Sequence, residues 1–120
     1  MTLVGAKDQP ITIAPIPGRV RVVWRGRTIG ETTRALELKE AGREPIAYLP
    51  REDIEAALLE RSQRVTACPI KGEAIYYAVT DGYDRDDCAS WTYTAPEAEF
   101  AAIAGRLAFD PGVVRLVRTD

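Results

Sequence analysis

The sequence predicts a mainly β domain with a minor helical part near its C-terminus. Polar and apolar residues alternate over Arg19–Trp24, which is typical of a half-buried strand. The segments Glu73–Val79 and Ala89–Tyr93 are rich in residues that favour strands, and the residues between them are typical of a hairpin loop. Between residues 95 and 108, apolar side chains repeat at helical spacing.

The first part of the chain predicts an extended lead-in followed by a β-hairpin. Residues 8–18 contain several prolines, which block helix formation and bias the preceding residues toward extended geometry. Gly26 lies where a tight turn would join Arg19–Trp24 to Thr28–Thr32. We therefore expect these two segments to pair.

The middle of the chain is less clear. Residues 34–41 have helical propensity and end before Gly42, but apolar residues alternate within them, and we prefer a strand. Ile46–Leu49 predicts a short buried strand that ends at Pro50. Asp53–Leu59 predicts a short helix or a turn.

The clearest helical signal lies late in the chain. Thr94 and Glu97 have the spacing of a capping box, and Pro96 falls in the first turn, where proline is tolerated. We therefore expect a helix over Ala95–Ala108, the longest of the chain. A last strand is expected over Val113–Val117.

Composition excludes several classes of function. The net charge is −2, from 16 basic and 18 acidic residues without a basic cluster, so we expect no nucleic-acid partner. No apolar run approaches the roughly 20 residues that cross a bilayer, and no signal-peptide core is found. We expect one cytoplasmic domain over residues 1–120, with its core over 10–118 and no membrane partner. Because the chain has no histidine, mechanisms that need a histidine base are excluded.

The cysteine and acidic residues predict neither a metal site nor a cofactor. Cys68 and Cys88 are too few for a disulfide framework, and a zinc site would need carboxylates for half of its ligands. Asp84 and Asp86 have a spacing that can hold Mg²⁺, but no glycine-rich phosphate loop accompanies them. We interpret the acidic segment Asp81–Asp87 as a solvated hairpin loop.

The segment Cys68–Gly72 is the strongest candidate for chemistry. An ammonium group at Lys71 near the Cys68 thiol would stabilise the thiolate and increase its reactivity. Gly72 would let the backbone approach a ligand closely, and Pro69 would stiffen the turn. The alternative is a small buried cysteine in a tight turn, beside a solvated lysine.

Two further groups of residues are candidates for ligand contacts. Arg51, within Tyr48–Asp53, could bind a carboxylate or phosphate; alternatively, Asp53 caps the next helix and Arg51 pairs with an internal carboxylate. Aromatic residues late in the chain could line a pocket or could be core and cross-strand pairs. They are Tyr76, Tyr77, Trp91 and Tyr93.

Several segments also have a characteristic order and spacing over residues 10–112. They are Pro17–Val20, Thr32–Leu36, Tyr48–Asp53, Thr66–Ala74 with Tyr76, Trp91–Tyr93, Pro96 and Ile103–Gly105. Together they resemble a bacterial family catalogued as domain of unknown function 427, which is sometimes labelled nucleotidyltransferase-like. The resemblance implies a small, mainly antiparallel β fold that is barrel-like or tent-like. The family usually has aromatic residues at the positions of Ile70 and Asp110.

Three functions remain open at the level of sequence. The first is the binding of a small molecule or peptide, without turnover, in a pocket near the Cys68–Gly72 turn. Its candidate binding residues are Tyr48, Arg51, Asp53, Cys68, Lys71, Gly72, Tyr76 and Trp91. The second is an enzyme that uses Cys68 as a nucleophile or redox thiol with the assistance of Lys71. The third is a protein-interaction domain whose exposed strand edge pairs with a partner.

Overall fold

Antiparallel strands dominate the computed structural model, which describes residues 11–69 and 71–119. The strands are β1 (Ile11–Pro15), β2 (Arg19–Trp24), β3 (Arg27–Thr32), β4 (Leu36–Glu40), β5 (Ile46–Tyr48), β6 (Leu59–Cys68), β7 (Gly72–Thr80), β8 (Arg85–Tyr93), β9 (Ala108–Phe109) and β10 (Val114–Thr119). They form three sheets with the orders β1-β4-β5, β10-β2-β3 and β6-β7-β8-β9. The predicted mainly β fold is confirmed, and among the described residues the sheets do not join into a closed barrel.

The predicted hairpin at the start of the chain is confirmed. β2 pairs with β3, and Trp24 faces Arg27 across a two-residue turn. Arg25 and Gly26 in this turn have φ angles of 50° and 79°. Two-residue hairpin turns of this kind need positive φ at both positions, which explains the glycine. The extended lead-in is confirmed as β1 for residues 11–15, whereas residues 8–10 lie outside the described residues.

The ambiguous segment at 34–41 forms strand β4, as preferred. β4 lies between β1 and β5, where Leu38 faces Ile13 on one side and Ile46 on the other. Pairing on both sides overrides the helical propensity of the segment, because each strand neighbour supplies hydrogen bonds and apolar contacts. The expected strand at Ile46–Leu49 is also found, as β5 followed by an isolated bridge from Leu49 to Leu107.

β7 and β8 pair as predicted, but the loop between them is shorter than expected. β8 begins at Arg85, so the end of the predicted Asp81–Asp87 loop belongs to a strand. Arg85 and Asp86 pair with Thr80 and Val79 of β7, and the Asp86 carboxylate also accepts a hydrogen bond from the Trp24 indole at 2.8 Å. The sequence did not predict β6, whose mostly polar residues leave many of its side chains exposed at the edge of the sheet.

The prediction of a helix over Ala95–Ala108 is wrong in type and length. A 3-10 helix spans Ala98–Ile103, and neither Thr94 nor Glu97 makes a side-chain capping bond there. Phe100 and Ile103 are buried at a spacing of three, which suits a 3-10 helix as well as an α-helix. The helix then ends because the Gly105 N–H donates to the Tyr93 carbonyl and returns the chain to β8.

The expected short helix or turn after β5 consists of two 3-10 helices, Arg51–Asp53 and Ala56–Leu58.

The larger of two apolar clusters packs between the β2 and β7 sheets and includes Trp24, Leu49 and Val79. The smaller cluster contains Leu38, Tyr48, Phe100, Ile103 and Ala108, with Trp91 and Tyr93 packed against it. No helix among the described residues is long and apolar enough to span a bilayer.

Candidate functional site

Lys71 and Glu40 form a buried ion pair beside the smaller apolar cluster. The Lys71 Nζ lies 2.8 Å from Glu40 Oε1, and each side chain is only 8% exposed. Lys71 belongs to the β6–β7 turn, whereas Glu40 ends β4, so two sheets contribute the two charges. The ammonium also lies 5.3 Å from the centre of the Phe100 ring. Each charge depends on the other, because a buried unpaired charge is costly.

This pair lines a cavity of about 430 Å³, which we call the Lys71 cavity. That volume falls within the range of small-molecule sites. The β4–β5 hairpin, the β6–β7–β8 surface and the chain after β9 contribute its walls. Its lining residues are Glu40, Arg43, Ile46, Tyr48, Arg64, Lys71, Tyr76, Asp87, Cys88, Trp91, Tyr93 and Asp110.

Aromatic side chains form much of the wall. Tyr76 and Trp91 are cross-strand neighbours with ring centres 6.4 Å apart, so they are both a sheet pair and cavity residues. Burial raises the pKa of Tyr93 to about 12, and burial also raises the pKa of Tyr48. Both phenols therefore keep their protons near neutral pH and can donate hydrogen bonds. Tyr77, by contrast, packs into the larger core cluster.

Two arginines line the same cavity. The Arg64 guanidinium lies 5.0 Å from the centre of the Tyr76 ring. Arg43 lines the cavity together with Tyr93, and its positive charge partly opposes the rise in the pKa of that phenol. Both arginines are exposed. No carboxylate of residues 11–69 and 71–119 lies within 4.0 Å of either guanidinium group.

The partner of the Lys71 ammonium is a carboxylate and not the Cys68 thiol. The predicted tight turn is present, and the Cys68 sulfur accepts the backbone N–H of Lys71 at 3.4 Å. The ammonium binds Glu40 instead, so the expectation of a solvated lysine is wrong. Cys88 also lines the cavity, at an irregularity of the β7–β8 pairing where its φ is 54°.

Of the predicted binding residues, the structure brings together Tyr48, Lys71, Tyr76 and Trp91 in the Lys71 cavity, whereas Arg51 and Asp53 do not line it. Cys68 and Gly72 pair at the end of the β6–β7 hairpin, next to Lys71.

Arg51 and Asp53 have other partners. The Arg51 guanidinium donates to the Tyr77 hydroxyl at 2.7 Å rather than to an internal carboxylate. Asp53 caps neither short helix, since neither has a side-chain capping bond, and it accepts from Arg34 at 3.1 Å. Both structural alternatives considered for these residues are therefore wrong.

A second, more apolar depression adjoins the first and is called here the Leu116 groove. Its volume is about 680 Å³. Arg43, Ile46 and Trp91 line both it and the Lys71 cavity. The other residues of the groove are Glu44, Pro45, Ala47, Phe109, Pro111, Val114, Arg115 and Leu116.

Sequence analysis missed several residues of the cavity, chiefly Glu40, Arg43 and Arg64. A signal for Glu40 exists, because it shares a face of β4 with Leu36 and Leu38 and so places a carboxylate on an apolar face. A carboxylate in that position requires a partner. Among the described residues, no three side chains of histidine, cysteine, aspartate or glutamate converge as a metal site would need.

Comparison with known proteins places nearly the whole chain in one family. The family model matches residues 12–120 and is described as a domain of unknown function (DUF427). A search of curated proteins gives no match.

Proposed function

The chain belongs to the DUF427 family, and we propose that it binds a small anionic molecule in the Lys71 cavity. The observation that carries this proposal is the pair of cavity arginines, Arg43 and Arg64, neither of which has a carboxylate of the described residues within 4.0 Å. The Arg64 guanidinium lies instead over the Tyr76 ring. Guanidinium groups that stack on rings keep their N–H donors available for a carboxylate or phosphate.

The charged residues of the cavity differ in how far they are already paired within the protein. Lys71 neutralises Glu40, and Asp87 accepts from Arg85 at 2.6 Å. Asp110 accepts the backbone N–H of Gly112 at 2.9 Å. The lining is formally neutral, because three basic residues balance three acidic ones. Of the basic residues, Lys71 is held by Glu40, whereas Arg43 and Arg64 have no carboxylate of the described residues within 4.0 Å and so remain available to an anion.

The walls suit the remainder of such a ligand. Trp91, Tyr76 and Tyr93 offer aromatic surface for a ring or another apolar group. The protonated phenols of Tyr48 and Tyr93 offer hydrogen bonds that do not add negative charge. A phosphate or carboxylate attached to a planar ring combines these requirements, and phenyl phosphate is a simple compound of that class.

Titration calorimetry with phenyl phosphate tests the proposal. Arg64→Gln removes a charge-assisted hydrogen bond of about 1.5–3 kcal/mol, so the Kd should rise by roughly 10-fold or more. Arg61→Gln is the matched control, because Arg61 lies on the same strand, is exposed and lines neither depression. Its Kd should stay within about twofold of the wild type, since an exposed charge outside the cavity is screened by salt.

Either of two results would reject anion binding in this cavity. One is the absence of binding of phenyl phosphate at millimolar concentration. The other is an equal loss of affinity in Arg64→Gln and Arg61→Gln, which would show only a response to total charge. Thermal unfolding of both variants checks that the fold is retained.

A further inference from the structure

The Leu116 groove differs chemically from the cavity that it adjoins. Its floor and sides are formed by Ala47, Phe109, Val114 and Leu116, whereas its charged residues are Arg43, Glu44 and Arg115. An apolar depression with a polar rim is typical of sites that bury the hydrophobic part of a ligand.

The two depressions meet at Arg43, Ile46 and Trp91. Arg43 and Ile46 come from the β4–β5 hairpin, and Trp91 comes from β8, so one aromatic and one aliphatic side chain line the passage between the two sites. A ligand that extends from the cavity into the groove would therefore stay in contact with apolar surface along its length. Arg43 at this junction and Arg64 in the Lys71 cavity are the two arginines that would bind the anionic end.

From this continuity we infer that the ligand is an amphipathic anion, with its charged group in the Lys71 cavity and an alkyl or aryl tail in the Leu116 groove. This inference rests on the proposed anion binding and adds the class of ligand. The Leu116 groove would hold the tail of that molecule. A purely polar anion would leave this apolar surface exposed to water.

A homologous series of monoalkyl phosphates tests the inference. Butyl, hexyl and octyl phosphate share one charged group and differ only in tail length, and each is used below its micelle concentration. A fully buried methylene increases affinity by up to about fourfold, so the affinity should rise roughly tenfold or more from butyl to octyl phosphate.

Variants then locate the tail. Leu116→Gln makes the groove more polar and should remove most of the gain in affinity from butyl to octyl phosphate. Val65→Gln is the control, because Val65 is an exposed apolar residue of β6 that lines neither depression. Pro45→Ser, at an exposed position of the groove, repeats the test should Leu116→Gln fail to fold.

The outcomes separate the two proposals. Equal affinities for butyl and octyl phosphate would overturn the amphipathic ligand and leave anion binding intact. A gain with tail length that Leu116→Gln and Pro45→Ser leave unchanged would also overturn it, because the tail would then lie elsewhere. Failure of every phosphate in the series and of phenyl phosphate would reject the proposed function itself.

Discussion

Lys71 illustrates how the partners of a single residue determine its chemistry. In the sequence its notable neighbour is Cys68, three residues away, which suggested activation of the thiol. In the structure its ammonium binds Glu40, which is 31 residues distant and was not a candidate. Reasoning from local spacing identifies the residue types of a turn, but it cannot identify a partner that another sheet supplies.

The buried pair makes a quantitative prediction about stability. Lys71→Met leaves the Glu40 carboxylate buried without its counter-charge and should lower the free energy of unfolding by about 3–5 kcal/mol. The double variant Lys71→Met/Glu40→Leu removes both charges and should recover most of that loss. Urea unfolding of the single and double variants measures the coupling between them.

Lys39→Met is the matched control for this comparison of single and double variants. Lys39 is 63% exposed and pairs with Glu37 at 3.7 Å. Exposed pairs contribute about 0–1 kcal/mol, so this variant should unfold almost like the wild type. A similarly small effect of Lys71→Met would contradict the account of a buried, mutually dependent pair.

At the scale of secondary-structure elements, the alternation of polar and apolar residues predicted strands correctly, whereas helical spacing predicted a helix of the wrong type and length. Alternation predicted β2 and β4, because strand geometry places successive side chains on opposite faces. Strand propensity predicted the β7–β8 pair. Apolar residues three apart near Phe100 occur in a 3-10 helix as well as in an α-helix. β6 went unpredicted because an exposed edge strand carries few apolar residues.

The β6–β7 turn that carries Lys71 depends on Gly72. Its φ is 93°, and a Cβ atom there would lie 3.2 Å from the carbonyl oxygen of Ala95. Gly82 has a similar φ of 94°, but nothing lies within 4 Å of its Cβ position. Gly82→Ala should therefore cost about 1–2 kcal/mol through backbone strain alone. Gly72→Ala should cost about 1 kcal/mol more, because it adds crowding.

Chemical denaturation of the two glycine variants measures that difference. The comparison isolates the contact with Ala95, since the φ angles of the two glycines match. Equal losses of stability would contradict a close approach between the turn and the chain after β8.

At the scale of the whole molecule, the Lys71 cavity joins segments that lie far apart in the sequence. The β4–β5 hairpin, the β6–β7 turn, β8 and the chain after β9 each supply part of its wall. The sequence singled out Tyr48, Lys71, Tyr76 and Trp91, but it offered no pattern for Arg43 or Arg64, which resemble any exposed arginine until the sheets assemble. It also grouped Arg51 and Asp53 with them, because residue type alone does not indicate which surface a side chain shares.

The central claim is that an anion binds in this cavity, and amide NMR of the full chain with phenyl phosphate tests it most directly. The account predicts that the largest saturable shifts occur at Arg43, Lys71, Tyr76 and Trp91. It predicts little change at Arg34, whose guanidinium instead pairs with carboxylates at a separate surface. Saturable shifts centred on Arg34, or none at the cavity residues, would contradict the account.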